Sequence, residues 1–238
     1  MSKCDIIRKV IDVIGVICAE EKELIEVKKI MTQIKERYIY EKTFYIGNIE
    51  NKEVVLVKSN VGKVNSARVC QMLIDKFNVE LVINVGTAGS VDNSLEIGDV
   101  VVATELVQYD FDVTPFGRKL GEIENIGESI KVDNKLLNLF NGMNVRKGII
   151  ASGDKFIINI DEKDNVRNIF KALCIEMEGA SIAQTCFLDK IPFLVIRSIT
   201  DKLDGSSKVD FETFLETSSK AAANILKEVL KNVNKYIF

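Results

Sequence analysis

The sequence predicts an α/β fold in which a twisted mixed central sheet is flanked by helices, in three layers (α/β/α). Short β-branched runs alternate with segments whose apolar residues recur at helical spacing, which is typical of such folds. Two mostly apolar runs, residues 81–85 and 193–196, are typical of strands buried on both faces. The 238 residues contain no linker, repeat or low-complexity tract, so we expect a single domain over residues 1–238.

In the first half of the chain, each predicted strand is a short run rich in β-branched and other apolar residues. We expect these strands at residues 12–18, 43–48, 53–59, 81–85, 99–103 and 106–109. The polar segment 50–52 predicts a hairpin between the second and third of them. Charged or apolar residues at helical spacing predict helices over residues 20–37 and 63–77.

In the second half, residues 110–129 are predicted to form a loop, because they contain Pro115 and three glycines. Further strands are expected at residues 147–151, 173–175 and 193–199. Helices are expected over residues 134–141, 162–170, 178–187 and 211–233. Asp210 is the predicted N-cap of the last helix.

The composition excludes several kinds of chemistry, because the chain contains no histidine. A Ser-His-Asp triad, a Cys-His pair and a histidine-ligated metal or haem are ruled out. Acid–base catalysis must therefore use Asp, Glu, Lys, Tyr or Cys. With 32 basic and 35 acidic residues, a net charge of −3 and no long run of one sign, nucleic acid is not an expected partner.

The N-terminal apolar stretch and the cysteines both indicate a cytoplasmic protein without membrane contacts. Residues 10–19 superficially resemble a signal peptide, but Asp12 interrupts them and no clean cleavage site follows. A buried first strand explains the stretch better, and no other apolar run approaches the length of a membrane helix. The five cysteines are scattered and form no CxxC pair, which indicates reduced thiols rather than disulfides.

Polar residues follow five of the predicted strands, at the edge where open α/β sheets bind their ligands. They supply carboxylates, hydroxyls, glycines and an arginine. The segments are 19–23, 84–89, 152–157, 176–178 and 197–201. This convergence predicts a binding or catalytic site more strongly than any one segment does.

Taken alone, each segment also has a purely structural interpretation. Residues 86–89 could be a tight turn without a ligand, and Asp201 could be a helix cap or loop residue. Glu20 and Glu21 are interpreted as acidic residues that stabilise a helix N-terminus. Residues 59–63 resemble a phosphate-binding loop before a helix, but they lack the GxxxxGK[ST] pattern, so a nucleotide-triphosphatase interpretation is weak.

In order along the chain, these segments resemble the purine nucleoside phosphorylase superfamily, and within it the 5′-methylthioadenosine/S-adenosylhomocysteine nucleosidase family. The most specific are Glu176-Met177-Glu178 and the run from Arg197 to Asp201, whereas residues 59–63 point to the nucleosidase branch. The similarity is collinear over residues 14–231 and rests on segments 14–23, 58–64, 84–89, 98–101, 110–117, 152–156, 176–178 and 197–201. It implies a nucleoside phosphorylase-like fold, residues 1–11 as a short N-terminal extension, and water rather than phosphate as the nucleophile.

The resemblance implies three catalytic carboxylates. Asp201 matches the general acid that protonates the purine at N7, and Glu23 matches the base that activates water. Glu178 matches the residue that binds the 2′- and 3′-hydroxyls of the ribose. The glycosidic bond would break through an oxocarbenium-like transition state, as in glycosidases, with no metal or other cofactor.

The resemblance also implies a set of substrate-binding residues. Phe156 would pack on the adenine, the backbone of Ile157 would read the base edge, and Met177 would lie beside the ribose. Phe211 would close over the 5′-alkylthio group. The other implied site residues are Thr87, Ala88, Gly89, Glu176, Arg197 and Thr200. A homodimer is implied as well, in which the region from Tyr109 to Phe116 completes the neighbouring subunit's 5′ pocket.

The sequence departs from the family pattern at four positions: Thr87 and Thr200 replace serines, Tyr109 replaces a histidine and Cys18 replaces a glycine. The expected function is hydrolysis of 5′-methylthioadenosine and S-adenosylhomocysteine, with 5′-deoxyadenosine as a further candidate substrate. Two alternatives remain open. One is a phosphate-dependent nucleoside phosphorylase or an aminofutalosine-type hydrolase, and the other is a nucleoside-binding protein without catalysis.

Overall fold

The computed structural model describes residues 12–202 and 207–233, whose strands form one mixed sheet. The strands are β1 (Val13–Cys18), β2 (Thr32–Ile39), β3 (Lys42–Ile49), β4 (Lys52–Lys58), β5 (Leu81–Ser90), β6 (Val100–Gln108), β7 (Ile130–Lys131), β8 (Arg146–Ser152), β9 (Ala172–Glu176) and β10 (Phe193–Asp201). The helices are α1 (Glu21–Lys29), α2 (Lys63–Phe77), α3 (Asn134–Leu137), α4 (Ile160–Phe170), α5 (Gly179–Asp189) and α6 (Ser207–Asn232). The predicted extension, residues 1–11, lies outside the described residues.

Strand β5 is the centre of the sheet, because it pairs with three neighbours. It runs parallel to β1 on one side, up to Asn84, and parallel to β10 on the other. At its end, Gly89 and Ser90 pair instead with the antiparallel strand β9. Strands β5, β10, β6, β8 and β9 thus close into a ring, and β4, β3 and β2 extend the sheet beyond β1. Between the β1 and β9 pairings the sheet opens beside β5.

Two helix pairs cover the sheet. Helix α1 packs with α6, helix α2 packs with α5, and both pairs contact β1 and β5. The side chains of Ile14, Val16 and Ile17 on β1 are consequently fully buried, as both faces of the strand are covered. The predicted fold class, a mixed sheet flanked by helices, is confirmed. Within residues 12–202 and 207–233, no helix combines the length and apolarity needed to cross a bilayer.

The prediction of one helix over residues 20–37 is wrong in its second half. Helix α1 ends at Lys29, and residues from Thr32 to Ile39 form the edge strand β2, which joins β3 through a two-residue hairpin. Most β2 side chains are exposed on both faces, so the strand lacks an alternating apolar pattern. Its charged residues resemble a helix surface in the sequence, whereas at a sheet edge they discourage pairing with another chain.

Two further expectations are corrected. Residues 86–89 are not a tight turn, because β5 continues through them to Ser90, held by β10 along its length. Asp210 is not an N-cap, because α6 already begins at Ser207 and Asp210 lies inside it. The predicted hairpin around residues 50–52 is confirmed by the antiparallel pairing of β3 with β4.

Candidate active site

A cavity of about 360 Å³ lies where the sheet opens beside β5. Its polar wall is formed by residues at the ends of four strands and the start of α1. Its lining consists of Ala19, Glu20, Glu23, Val61, Thr87, Ala88, Gly89, Phe156, Ile175, Glu176, Met177, Glu178, Thr200, Asp201 and Phe211. A cavity of this size, with apolar walls and a few convergent polar groups, is the usual form of a small-molecule site.

Glu23 is held in a fixed position at the start of α1. Its Oε2 accepts hydrogen bonds from the backbone N–H groups of Ala19 (2.9 Å) and Glu20 (3.0 Å). Its Oε1 accepts from the N–H (2.9 Å) and the hydroxyl (3.1 Å) of Thr87. Burial raises the pKa of Glu23, against the opposing charge of Arg197 and the backbone hydrogen bonds. A buried carboxylate with a raised pKa is suited to act as a general base near neutral pH.

Asp201 ends β10 on the opposite side of the cavity and is 2 % exposed. Its Oδ1 accepts a hydrogen bond from Thr200 Oγ1 (3.0 Å), and its Oδ2 accepts one from Lys163 Nζ (2.8 Å). Gly89 of β5 permits this position, because a Cβ there would lie 2.9 Å from Oδ2.

Arg197 organises the carboxylates at the end of β9 from behind the cavity wall. Its guanidinium donates to Glu176 and to the side-chain oxygen of Asn84. Glu176 also accepts from the hydroxyl of Ser152. Glu178 Oε2 lies 3.8 Å from the guanidinium, and burial, followed by the charge of Glu176, raises the pKa of Glu178.

The N-terminus of α2 faces the same region, and carboxylates occupy its free amides. The N–H of Gly62 donates to Glu178 Oε1 (2.9 Å), and the N–H of Lys63 donates to Asp154 Oδ1 (2.8 Å). These are the amides that a phosphate-binding loop would offer to an anion. Residues 59–63 therefore resemble a phosphate-binding loop in sequence, but their backbone amides already donate to side-chain carboxylates.

The rest of the cavity wall is apolar. The rings of Phe156 and Phe211 meet edge to face, with centroids 5.6 Å apart. Met177 and the partly exposed Val61 complete this wall. Such a surface suits an aromatic base and a thioether.

The structure brings nearly all of the predicted site residues to one place. Glu23, Glu178 and Asp201 line the cavity, as do eight of the predicted binding residues: Thr87, Ala88, Gly89, Phe156, Glu176, Met177, Thr200 and Phe211. Ile157 lines a small adjoining cavity of about 30 Å³, and Arg197 is buried behind Glu176. Tyr109 lies outside the main cavity, and its hydroxyl donates to the carbonyl of Lys155 (3.1 Å).

Sequence reasoning missed two polar residues here. Glu20, interpreted only as a helix-terminal residue, precedes α1 and also lines the cavity. Lys163 is fully buried beside Asp201, although it lies in a charged helical segment that looks solvent-exposed in the sequence. For Glu20, its position directly after a buried strand was the available signal. For Lys163 there was none.

Comparisons with known proteins agree with this geometry. A family model described as the phosphorylase superfamily matches residues 13–231. The 5′-methylthioadenosine/S-adenosylhomocysteine nucleosidase of Staphylococcus carnosus is 37% identical over 227 residues, which cover 92% of this chain and 100% of the relative.

Two solved structures from Helicobacter pylori are also similar. A 5′-methylthioadenosine/S-adenosylhomocysteine nucleosidase in complex with a substituted pyrrolidin-3-ol has a TM-score of 0.89 at 33% identity, covering 94% of this chain and 100% of that one. A futalosine hydrolase has a TM-score of 0.88 at 32% identity, covering 93% of this chain and 98% of that one. The chain thus belongs to the 5′-methylthioadenosine/S-adenosylhomocysteine nucleosidase family of the phosphorylase superfamily.

Proposed function

We propose that this protein hydrolyses the N-glycosidic bond of 5′-methylthioadenosine and S-adenosylhomocysteine, releasing adenine and the 5-thio-sugar. The observation that carries the proposal is the convergence of Glu23, Glu178 and Asp201 on one cavity whose remaining wall includes Met177 and Phe211. Relatives of the same family bear this activity in their names. The substrate is a small nucleoside whose 5′ group is attached through a thioether.

In the proposed mechanism, three carboxylates divide the work. Asp201 binds the purine edge and protonates N7, which turns adenine into a leaving group. Glu178 binds the ribose hydroxyls, and in its ionised form it favours the oxocarbenium-like cation that forms as the bond breaks. Glu23 orients a water molecule and accepts its proton, and Thr87 fixes Glu23 through two hydrogen bonds. Two carboxylates around a breaking glycosidic bond follow the logic of glycosidases.

The remaining predicted residues supply binding in this scheme. Phe156 and Phe211 hold the base and the 5′-alkylthio group, Met177 lies beside the ribose, and the Ile157 backbone reads the base edge. Arg197 does not line the cavity, and it acts indirectly, by binding Glu176 and balancing the buried negative charge.

Water is favoured over phosphate as the nucleophile by the charge of the cavity. In the described part of the chain, its lining contains five carboxylates, on Glu20, Glu23, Glu176, Glu178 and Asp201, and no cationic side chain. The described wall offers a phosphate dianion no cationic partner, because Lys163 and Arg197 lie behind it, paired with Asp201 and Glu176. The occupied amides at the N-terminus of α2 deny it a backbone site as well.

We further propose a cytoplasmic homodimer in which the region from Tyr109 to Phe116 reaches the partner's 5′ pocket. Asp110 ties this region to the cavity rim, since its carboxylate accepts from Lys63 Nζ (2.6 Å) and from the N–H of Asp154 (2.8 Å). Phe116 is 86 % exposed and is therefore accessible to a partner. Free buried thiols support a reducing compartment. Light scattering should give the mass of a dimer for the wild type. F116E should dissociate to monomers at higher protein concentrations than the wild type does.

A second candidate activity is hydrolysis of an aminofutalosine-type nucleoside. The similarity to a futalosine hydrolase at 32% identity favours it, since the base and ribose would occupy the same site and only the 5′ group would differ. The shared fold does not decide between the two substrates.

The test is adenine release from a panel of nucleosides, with and without phosphate. We expect release from 5′-methylthioadenosine and S-adenosylhomocysteine in phosphate-free buffer. D201N should bind these nucleosides and turn them over at least about 100-fold more slowly, the usual size of an acid–base contribution. A strict phosphate requirement would indicate a phosphorylase, and binding without any turnover would indicate a nucleoside-binding protein.

A further inference from the structure

Lys163 is a buried cation that the proposed mechanism does not use. It lies in α4, its side chain is 1 % exposed, and its Nζ lies 2.8 Å from Oδ2 of Asp201. A second hydrogen bond, 2.9 Å long, joins Nζ to the carbonyl of Lys202. Lys163 is absent from the cavity lining, so it can act on a substrate only through Asp201.

This pairing bears on the proton that Asp201 is proposed to donate. A carboxylate paired with an ammonium group carries no proton of its own. Burial of both groups, however, destabilises the ion pair relative to the neutral amine–acid pair, and the two forms differ only by one proton moved along the 2.8 Å hydrogen bond. The Lys163–Asp201 pair therefore holds one transferable proton at the edge of the cavity.

We propose that the general acid is this pair rather than Asp201 alone, with Lys163 as the positioning and proton-supplying residue; the proposal rests on the nucleosidase function above. A proton moves from Nζ of Lys163 to the Asp201 carboxylate. It then moves from the carboxyl group to N7 as the C1′–N9 bond breaks and its electron pair stays on the purine. Asp201 ends as a carboxylate, Lys163 ends as a neutral amine, and solvent restores the ammonium group.

Other titratable groups among the described residues lie near the pair, and none of them is placed to supply this proton. Glu176 shares the cavity wall with Asp201, and Lys155 shares the small adjoining cavity, but Lys155 pairs with Glu162 at the surface. Cys174 also interacts electrostatically with Asp201, and burial raises the pKa of its thiol. Glu23 accepts four hydrogen bonds in the same cavity and has its own proposed role. In the part of the chain that the structure describes, Lys163 is the cation that forms an ion pair with Asp201.

Two variants separate proton supply from simple charge balance. K163M removes the ammonium group and keeps a similar volume, whereas K163R keeps a positive charge that does not release a proton. Both are compared with wild type on 5′-methylthioadenosine, and on a 5-methylthioribosyl p-nitrophenyl glycoside whose leaving group needs no protonation. The second substrate depends on the water and ribose contacts alone, so it also reports whether each variant is folded.

We expect K163M to lower kcat for 5′-methylthioadenosine by about 100-fold or more, and to recover activity as the pH is lowered and solvent supplies the missing proton. K163R should lose at least as much and should not recover. Both should keep wild-type kcat for the nitrophenyl glycoside.

Wild-type kcat for 5′-methylthioadenosine in K163R would overturn the proposal, because charge alone would then suffice. An equal loss on both substrates would also overturn it, because it would mark a structural role. If the wild-type enzyme cleaves the glycoside and leaves 5′-methylthioadenosine intact, the proposed function fails instead.

Discussion

Replacing Gly86 by alanine should displace the proposed water-activating carboxylate. Gly86 lies on β5 against Glu23, and a Cβ at this position would lie 2.7 Å from Oε1 and 3.0 Å from Cδ. Ordinary contacts begin at 3.4 Å, so the carboxylate must move by about 0.7 Å. Gly86 has ordinary strand geometry, so crowding is the only effect of the added methyl group.

The size of the effect follows from how Glu23 is held. Its four hydrogen bonds, 2.9–3.1 Å long, join it to the start of α1 and to β5, so it cannot shift without stretching some of them. Misplacing a catalytic group by about 1 Å costs about 100-fold in rate. We therefore expect G86A to lower kcat for 5′-methylthioadenosine by about that factor, with little change in KM, in a continuous assay of adenine release.

Gly15 provides a matched control. It lies on β1, and a Cβ there would lie 2.9 Å from Leu73 Cδ1, a comparable clash inside the hydrophobic core. G15A should lower the thermal unfolding midpoint and leave kcat unchanged. If folded G86A keeps most of the wild-type kcat, or if G15A loses kcat to the same extent, the reasoning about Glu23 is wrong.

Other contacts in the cavity give further expectations. T87V removes the 3.1 Å hydrogen bond from the Thr87 hydroxyl to Glu23 and should lower kcat about tenfold, the equivalent of one hydrogen bond to a charged group. T87S keeps the hydroxyl and should behave as wild type. Equal rates of adenine release for T87V and T87S would contradict this. G89A, whose Cβ would lie 2.9 Å from Asp201, should slow cleavage of adenine nucleosides but not of a p-nitrophenyl glycoside, as measured with both substrates. Because folding raises the pKa of Glu178, the protonated form is favoured in the native state, and stability is lost as the pH rises from the unfolded pKa of 4.5 through the folded one. In calorimetry near pH 4.5, E178Q should therefore have the same unfolding midpoint as wild type. At alkaline pH its midpoint should be a few degrees higher, since 1 kcal/mol shifts the midpoint of a chain this size by about 2–4 °C. Equal midpoints at alkaline pH would contradict the predicted direction of the pH dependence.

The site was largely predictable because parallel strands end at a common edge. Glu23, Glu176 and Asp201 each follow or end an apolar strand, and such strands are recognisable from composition alone. The close approach of Gly86 and Gly89 to two carboxylates could not be predicted. It depends on β5 continuing as a strand where the sequence equally suits a turn.

The features that sequence reasoning missed are tertiary in origin. Strand β2 has the charge pattern of an exposed helix because it is exposed on both faces, and only its pairing with β3 defines it. Lys163 has charged neighbours on α4, and its burial follows from how that helix packs on β9 beside Asp201. Neither packing arrangement leaves a periodic signal in the sequence.

The most direct test of the central claim is a single turnover of 5′-methylthioadenosine in oxygen-18 water, quenched and analysed by mass spectrometry. The account predicts that the released sugar carries the label at C1, that phosphate does not change the rate of adenine release, and that E23Q slows label incorporation and adenine release together. An unlabelled sugar phosphate, or wild-type label incorporation by E23Q, would contradict it.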